Sequence, residues 1–158
     1  MADGAFNIAK GRVVSYYDNV KSNSPAASGF IMLLLKLNQT EDDLNDYDEL
    51  DALLANAGNT EADFTNYVRN ELTDADIDAL PAPDDANNYI TLDLPDWTIN
   101  NAGSGVDNTL TKMIVCYAPD VAGADTTLIP LSHQDYTVTT DGSNITIQIN
   151  ATGWYRSA

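Results

Sequence analysis

The chain reads as a mainly β protein, an antiparallel β-sandwich of about seven strands with two helices in its N-terminal half. Three observations predict this. First, the stretch 110–131, LTKMIVCYAPDVAGADTTLIPL, holds an apolar, β-prone run of Met113, Ile114, Val115, Cys116 and Tyr117. Such a run, too short for a lone helix and stopped by Pro119 and Asp120, suits a strand buried on both faces. After a polar loop the chain returns through Thr126, Thr127, Leu128, Ile129, Pro130 and Leu131, giving a hairpin-type pair at mid-sheet. Second, Ile145, Ile147 and Ile149 alternate with Thr146, Gln148 and Asn150, the two-residue period of a strand with one dry face. Third, the acids are mostly Asp, with Glu only at positions 41, 49, 61 and 71, and Asp and Asn crowd the loops, where they favour turns over long helices. At 158 residues the chain fits one domain, a size that buries roughly 68–70% of its unfolded surface.

The elements are justified in order. Between residues 7 and 22, Ala9, Val13, Tyr16, Tyr17 and Val20 recur at helical steps, with Asn7 as a candidate cap. This segment holds Lys10, Arg12 and Lys21 and is the least acidic part of the chain; it either packs on its own sheet or reaches an acidic neighbour. The organisation expected is an N-terminal arm and helix over 1–28, followed by a sandwich domain over 29–158 with a helical insertion at about 41–57. Phe30 to Leu37 is nearly all apolar, as a buried strand would be. Thr40 before Glu41, Asp42 and Asp43 opens a helix with acids at its positive end, and Leu44, Tyr47, Leu50, Leu53 and Leu54 keep helical spacing to Ala57, where Gly58 ends it. The acids on its other face read as a solvated surface. The segment 59–72, NTEADFTNYVRNEL, fits a helix or a strand on pattern alone. Asp74, Asp76 and Asp78 would share one side if extended, yet the tight glycine turn of a calcium loop is missing. Tyr89 to Leu94 forms a strand closed by Pro95, Trp97 caps the core from a loop, and NNAGSGVDN at 100–108 is a flexible candidate binding tip. A strand from His133 to Thr139 turns at Asp141-Gly142 into the final strand. Trp154, Tyr155 and Arg156 end the chain in a segment expected to pack back or to dock on a partner.

The formal net charge of −17 argues against nucleic acid and anionic lipid as partners, since both demand clustered Lys and Arg. No enzyme activity is expected. His133 is the single histidine and, on an expected strand, reads as a hydrogen-bonded structural residue and not as the base beside a nucleophile; with one His and one Cys, Cys116, a zinc ligand set is excluded. No phosphate-cradling glycine loop followed by Lys occurs. No catalytic, cofactor or metal residues are therefore assigned. MADGAFNIAKGR lacks a basic region followed by an apolar segment, so no secretory signal is expected, and the sequons at Asn38, Asn144 and Asn150 are taken as chance. An aromatic sugar platform built on Trp97 or Trp154 keeps a carbohydrate-binding module in play.

Five stretches carry a family likeness: ADGAFNIAKGRV, FTNYVRNELTDADI, ITLDLPDWT, LTKMIVCYAPD with LIPLSHQDYTVTTDG, and INATGWYRSA. Together they resemble small virion structural proteins of tailed bacteriophages, of the capsid decoration (cement) type. Asn66, Tyr67, Val68 and Arg69 resemble a Gly-Tyr-Ala-Arg motif of related phage proteins, with Asn66 and Val68 departing from it, and this favours a strand over about 64–72. The resemblance implies a protein without enzyme activity, made in the host cytoplasm and displayed on the capsid surface, whose partners are the major capsid protein and itself as a homotrimer. A tail, fibre or neck component is the alternative within the virion. The expected contact residues are Phe6, Ile8, Lys10, Arg12, Val13 and Tyr17 of the N-terminal segment and Trp154, Tyr155 and Arg156 of the tail, with the loop around 103–107 pointing outward.

Overall fold

The computed structural model describes residues 4–150 and 152–157. The first described elements are strand β1 (Gly4–Ala5), a 3-10 turn (Asn7–Ala9), helix α1 (Val13–Lys21) and the long strand β2 (Gly29–Leu37). Helices α2 (Glu41–Asn45) and α3 (Leu50–Ala55) follow, then the short strands β3 (Thr60–Glu61), β4 (Asn70–Leu72), β5 (Ile90–Leu92) and β6 (Trp97–Ile99). The second half holds β7 (Lys112–Ala118), a 3-10 turn (Asp125–Thr127), β8 (Ile129–Asp135), β9 (Ile145–Ile147) and β10 (Tyr155–Ser157). The protein is mainly β, and its strands pair antiparallel.

The principal sheet runs β1-β8-β7-β2-β3, with β4 also on β2. Every residue of β7 is buried, as are the first seven of β2, which explains why both read as continuous apolar runs. Directly paired residues share a face. The register therefore puts Phe30, Met32, Leu34, Met113, Val115, Tyr117, Ser132 and Gln134 on one face. Ile31, Leu33, Leu35, Lys112, Ile114, Cys116, His133 and Asp135 take the other.

On the first face lie α1 and the chain's end. Tyr17 meets Phe30 with ring centroids 5.9 Å apart, Tyr16 stacks on Tyr117 at 4.4 Å, and Trp154 meets Phe30 at 5.6 Å. Two small sheets, β5 with β10 and β6 with β9, complete the strand pairing. The second face takes the N-terminal turn and α2, where Phe6 sits edge-on to His133 at 5.5 Å and Asn45 Oδ1 lies 3.0 Å from His133 Nε2. The sandwich stays open between the main sheet and the second layer.

Several expectations need correction. The helix expected from residue 7 begins at Val13, because Gly11 takes a left-handed backbone (φ 77°) that interrupts the helical path. Asn7 caps nothing; its Nδ2 donates to Asp46 Oδ1 and its Oδ1 accepts from Lys10 Nζ. The insertion at 41–57 is two helices. Six residues along one helix would turn Leu50 well away from Leu44's side, and the break between them lets both be fully buried. Of the strand expected over 64–72 only Asn70–Leu72 forms: Asn66 sits at φ 72° and Tyr67 N–H donates to the Phe64 carbonyl, making a turn. Trp97 is not in a loop but in β6, 7% exposed. The strand expected from His133 is the end of β8, and the turn at 140–143 does not make a hairpin with it. β9 pairs instead with β6, while Gly142 N–H donates to the Ala102 carbonyl and Ser143's carbonyl accepts from Ala102 N–H.

Candidate functional site

The nine expected contact residues fall into two environments. Phe6 is 0% exposed and Val13 and Tyr17 1% each, so these three are core residues with no surface to offer a partner. The physical reason is that β1 pairs with β8, Phe6 N–H donates to the Leu131 carbonyl at 3.1 Å, and α1 lays its apolar side on β2 and β7. The segment before residue 28 thus shares the core of the sheet. Tyr17 donates its hydroxyl to the Asp78 carbonyl at 3.2 Å, and burial, aided by the charges of Asp78 and Asp93, pushes its phenol up to about 12. Ile8 is half-buried, whereas Lys10 and Arg12 are exposed. At the other end β10 pairs with β5, Trp154 and Tyr155 are half-buried, and the exposed Arg156 places its guanidinium 4.2 Å over the Tyr89 ring. The tail packs back.

The loop 100–108 is braced. Gly103 N–H donates to the Thr65 carbonyl, Val106 N–H to Thr65 Oγ1 at 2.8 Å, and Asn66 Nδ2 to the Asn101 carbonyl at 2.9 Å. It leaves Val106 and, on the adjoining turn, Val68 exposed.

The titratable groups brace the fold. His133 is fully buried beneath Phe6 and Asn45, and burial holds the Cys116 thiol far above its ordinary value, so it stays protonated. Arg69 grips Glu61 through Nε and Nη2 at 2.8 and 2.7 Å and Asp125 through Nη1 and Nη2 at 2.6 and 3.0 Å. These hydrogen bonds hold the guanidinium above its usual value and hold Asp125 below the usual carboxylate range. Tyr67 completes the cluster, donating to Glu61 Oε1 at 2.8 Å and accepting from Leu34 N–H at 3.0 Å. Lys112 is buried between Glu41 and Asp135. Burial pulls its ammonium down, but the two carboxylates outweigh that and hold it above the ordinary lysine value. Asp76 accepts from Thr73 N–H and Oγ1, a local turn bond, and among the described residues no cluster of His, Cys, Asp and Glu is arranged to hold a metal ion. No helix among them is long and apolar enough to cross a membrane.

One concavity is a cleft of about 310 Å³. It is lined by Met113 and Gln134 of the main sheet, by Tyr136, by residues 147–150 and by Gly153 with Trp154; Asp135 also borders it, but its carboxylate is held on the other face of the sheet by Lys112. Trp154 is fixed by donating its indole N–H to Ser132 Oγ at 2.8 Å, and the same hydroxyl accepts from Gln134 Nε2 at 3.1 Å. Gln134 Oε1, itself buried, has no hydrogen-bond partner among the described residues. Sequence reasoning named Trp154 but missed Gln134 and Tyr136. Their signal lay in LSHQDY, where Ser132, Gln134 and Tyr136 fall on alternate positions and would share one face of a strand. No protein-family description, curated protein or solved structure matches the chain.

Proposed function

We propose that the protein is a non-enzymatic virion structural component that binds the outer capsid shell as a preformed block and stabilises it. The observation that carries this reading is the disposition of charge. Lys21 donates to the Asp74 and Ile77 carbonyls, Lys36 pairs with Asp63, Arg69 with Glu61 and Asp125, Lys112 with Glu41 and Asp135, and Arg156 covers Tyr89. The bases thus tie the block together, and the outer surface is left to carboxylates, with Lys10 and Arg12 the exposed bases near the N-terminal turn. Such a molecule stays dispersed before assembly and is steered toward complementary charge on a shell. Gly4–Ala5 and Tyr155–Ser157 are paired in sheets, which favours rigid docking over folding on contact. The likeness of the five stretches to phage decoration proteins supplies the partners: the major capsid protein and a second copy of this chain.

Quantitative mass spectrometry of assembled particles tests the reading. Copies on the order of hundreds per particle are expected for a component that follows the shell's symmetry. About a dozen copies or fewer would move the protein to the neck or tail, and its absence from particles would overturn the proposal.

A further inference from the structure

We infer that the turn at residues 9–12 and the adjoining side of α2 form a contact between two copies of this chain, in which Lys10 and Arg12 of each copy meet Asp42 and Asp46 of the other across a two-fold axis. The contact rests on a turn that displays bases. Arg12 N–H donates to the Ala9 carbonyl at 2.8 Å, Lys10 has φ −55° and ψ 124°, and Gly11 has φ 77°. Together these make a type II turn, whose third position favours glycine. The turn is anchored at both ends, by the buried Ala9 and by the buried Val13 that opens α1, so Lys10 and Arg12 are presented from a fixed backbone. Apart from its chain neighbours, no described residue comes within 4 Å of the place a Gly11 Cβ would take, so the crest of the turn stands clear.

Charge selects the partner. Among the described residues neither Lys10 nor Arg12 makes an ion pair, although the chain carries 24 acids. The nearest acid is held beside them and not on them: Asn7 Oδ1 accepts from Lys10 Nζ at 2.7 Å, and Asn7 Nδ2 donates to Asp46 Oδ1 at 2.7 Å, so Asn7 stands between base and acid. Asp42 lies four residues before Asp46, whose backbone (φ −88°, ψ −5°) keeps the helical turn of α2, and the two exposed carboxylates therefore share a side. Bases and acids thus sit next to one another on one part of the surface. Such a patch is self-complementary: a two-fold axis sets the bases of each copy on the acids of the other, and every contact is made twice. A ring of three would need the two halves on different sides of the molecule. Lys21 and Arg156 cannot serve in the same way, being engaged by the Asp74 and Ile77 carbonyls and by the Tyr89 ring.

The inference deepens the reading above, which names a second copy as a partner, and it can fail while that reading stands. Molecules of net charge −17 repel at a distance, so the contact forms where copies are crowded, as on a shell, and is weak in dilute solution. The test is sedimentation equilibrium of the full chain at about 0.15 M salt, where charge is screened beyond roughly 8 Å and close contacts persist. A dimer and no larger species is expected as the concentration approaches about 1 mM. Two double variants, Lys10→Glu with Arg12→Glu and Asp42→Lys with Asp46→Lys, should each weaken the dimer by about tenfold or more, because every reversal acts twice. All four positions are exposed, so the variants fold as the parent does. Mixed in equal amounts, the two variants oppose as many unlike charges as the parent does, and association of the parent's strength is expected. A monomer up to about 1 mM, a trimer, a dimer indifferent to both variants, or a mixture that fails to associate would each overturn the inference. The copy number in particles, which tests the virion reading, is a separate measurement that none of these results decides.

Discussion

Arg69 is the residue on which most separate segments converge, since Glu61 comes from β3, Asp125 from the 3-10 turn before β8, and Tyr67 from the turn before β4. Both pairs are partly screened, with side chains 21–32% exposed. Replacing Arg69 with Met leaves two carboxylates facing one another and should cost roughly 2–3 kcal/mol in urea denaturation, between the values for exposed and fully buried pairs. Arg69→Lys should recover little, because an ammonium cannot reproduce the two-pronged grip. The pH dependence has a definite sign. Asp125 has its folded pKa depressed by Arg69, so its contribution is present above the ordinary carboxylate value and is lost as pH falls through the folded one. Asp125→Asn should therefore destabilise clearly at neutral pH and progressively less under acid, and an equal loss at both would contradict this account.

Among the elements, the long apolar strands were legible and the short ones were not. β2 and β7 announce themselves because burial on both faces forces unbroken runs of apolar residues, and the same logic gave the antiparallel return into β8. Asp141-Gly142 misled because a hairpin cue specifies a reversal but not the partner strand; β9 crosses to β6, where Ile145 and Ile147 meet Ile99 and Trp97. Trp97 looked like a loop residue because Pro95 and Asp96 precede it and its strand is only three residues long. Asn66 was legible only as a departure from a glycine motif, and its left-handed backbone is where glycine is most at ease and asparagine next. The cleft was half legible: its tryptophan stood out by type, whereas Gln134 came into view only with the register of β8 on β7. The β6–β9 ribbon rests on its one large side chain, so Trp97→Ala should lower stability by about 3–5 kcal/mol. A change below about 1 kcal/mol, the level of surface substitutions, would mean that the ring is not part of the core.

At the scale of the whole molecule, self-repulsion among 24 acids is set against 7 bases, of which Lys36, Arg69 and Lys112 make ion pairs within the fold and Lys21 and Arg156 are held by carbonyls and a ring. Salt weakens the braces and the repulsion together, but like-charged pairs are far more numerous and more exposed, and exposed charges are screened first. The melting temperature should therefore rise by several degrees between about 0.01 and 0.5 M salt, a shift on the order of 1 kcal/mol; a fall would show that the ion pairs outweigh the repulsion. The same surplus of carboxylates fits a block that remains apart from its own kind until a complementary surface gathers it. The most direct test of the proposed role on a capsid is the temperature at which particles release their genome, measured with the protein bound and after it has been stripped. Release at a lower temperature from the stripped particles, restored when purified protein is added back, is the predicted result. Identical release temperatures in all three preparations would contradict a stabilising role on the shell.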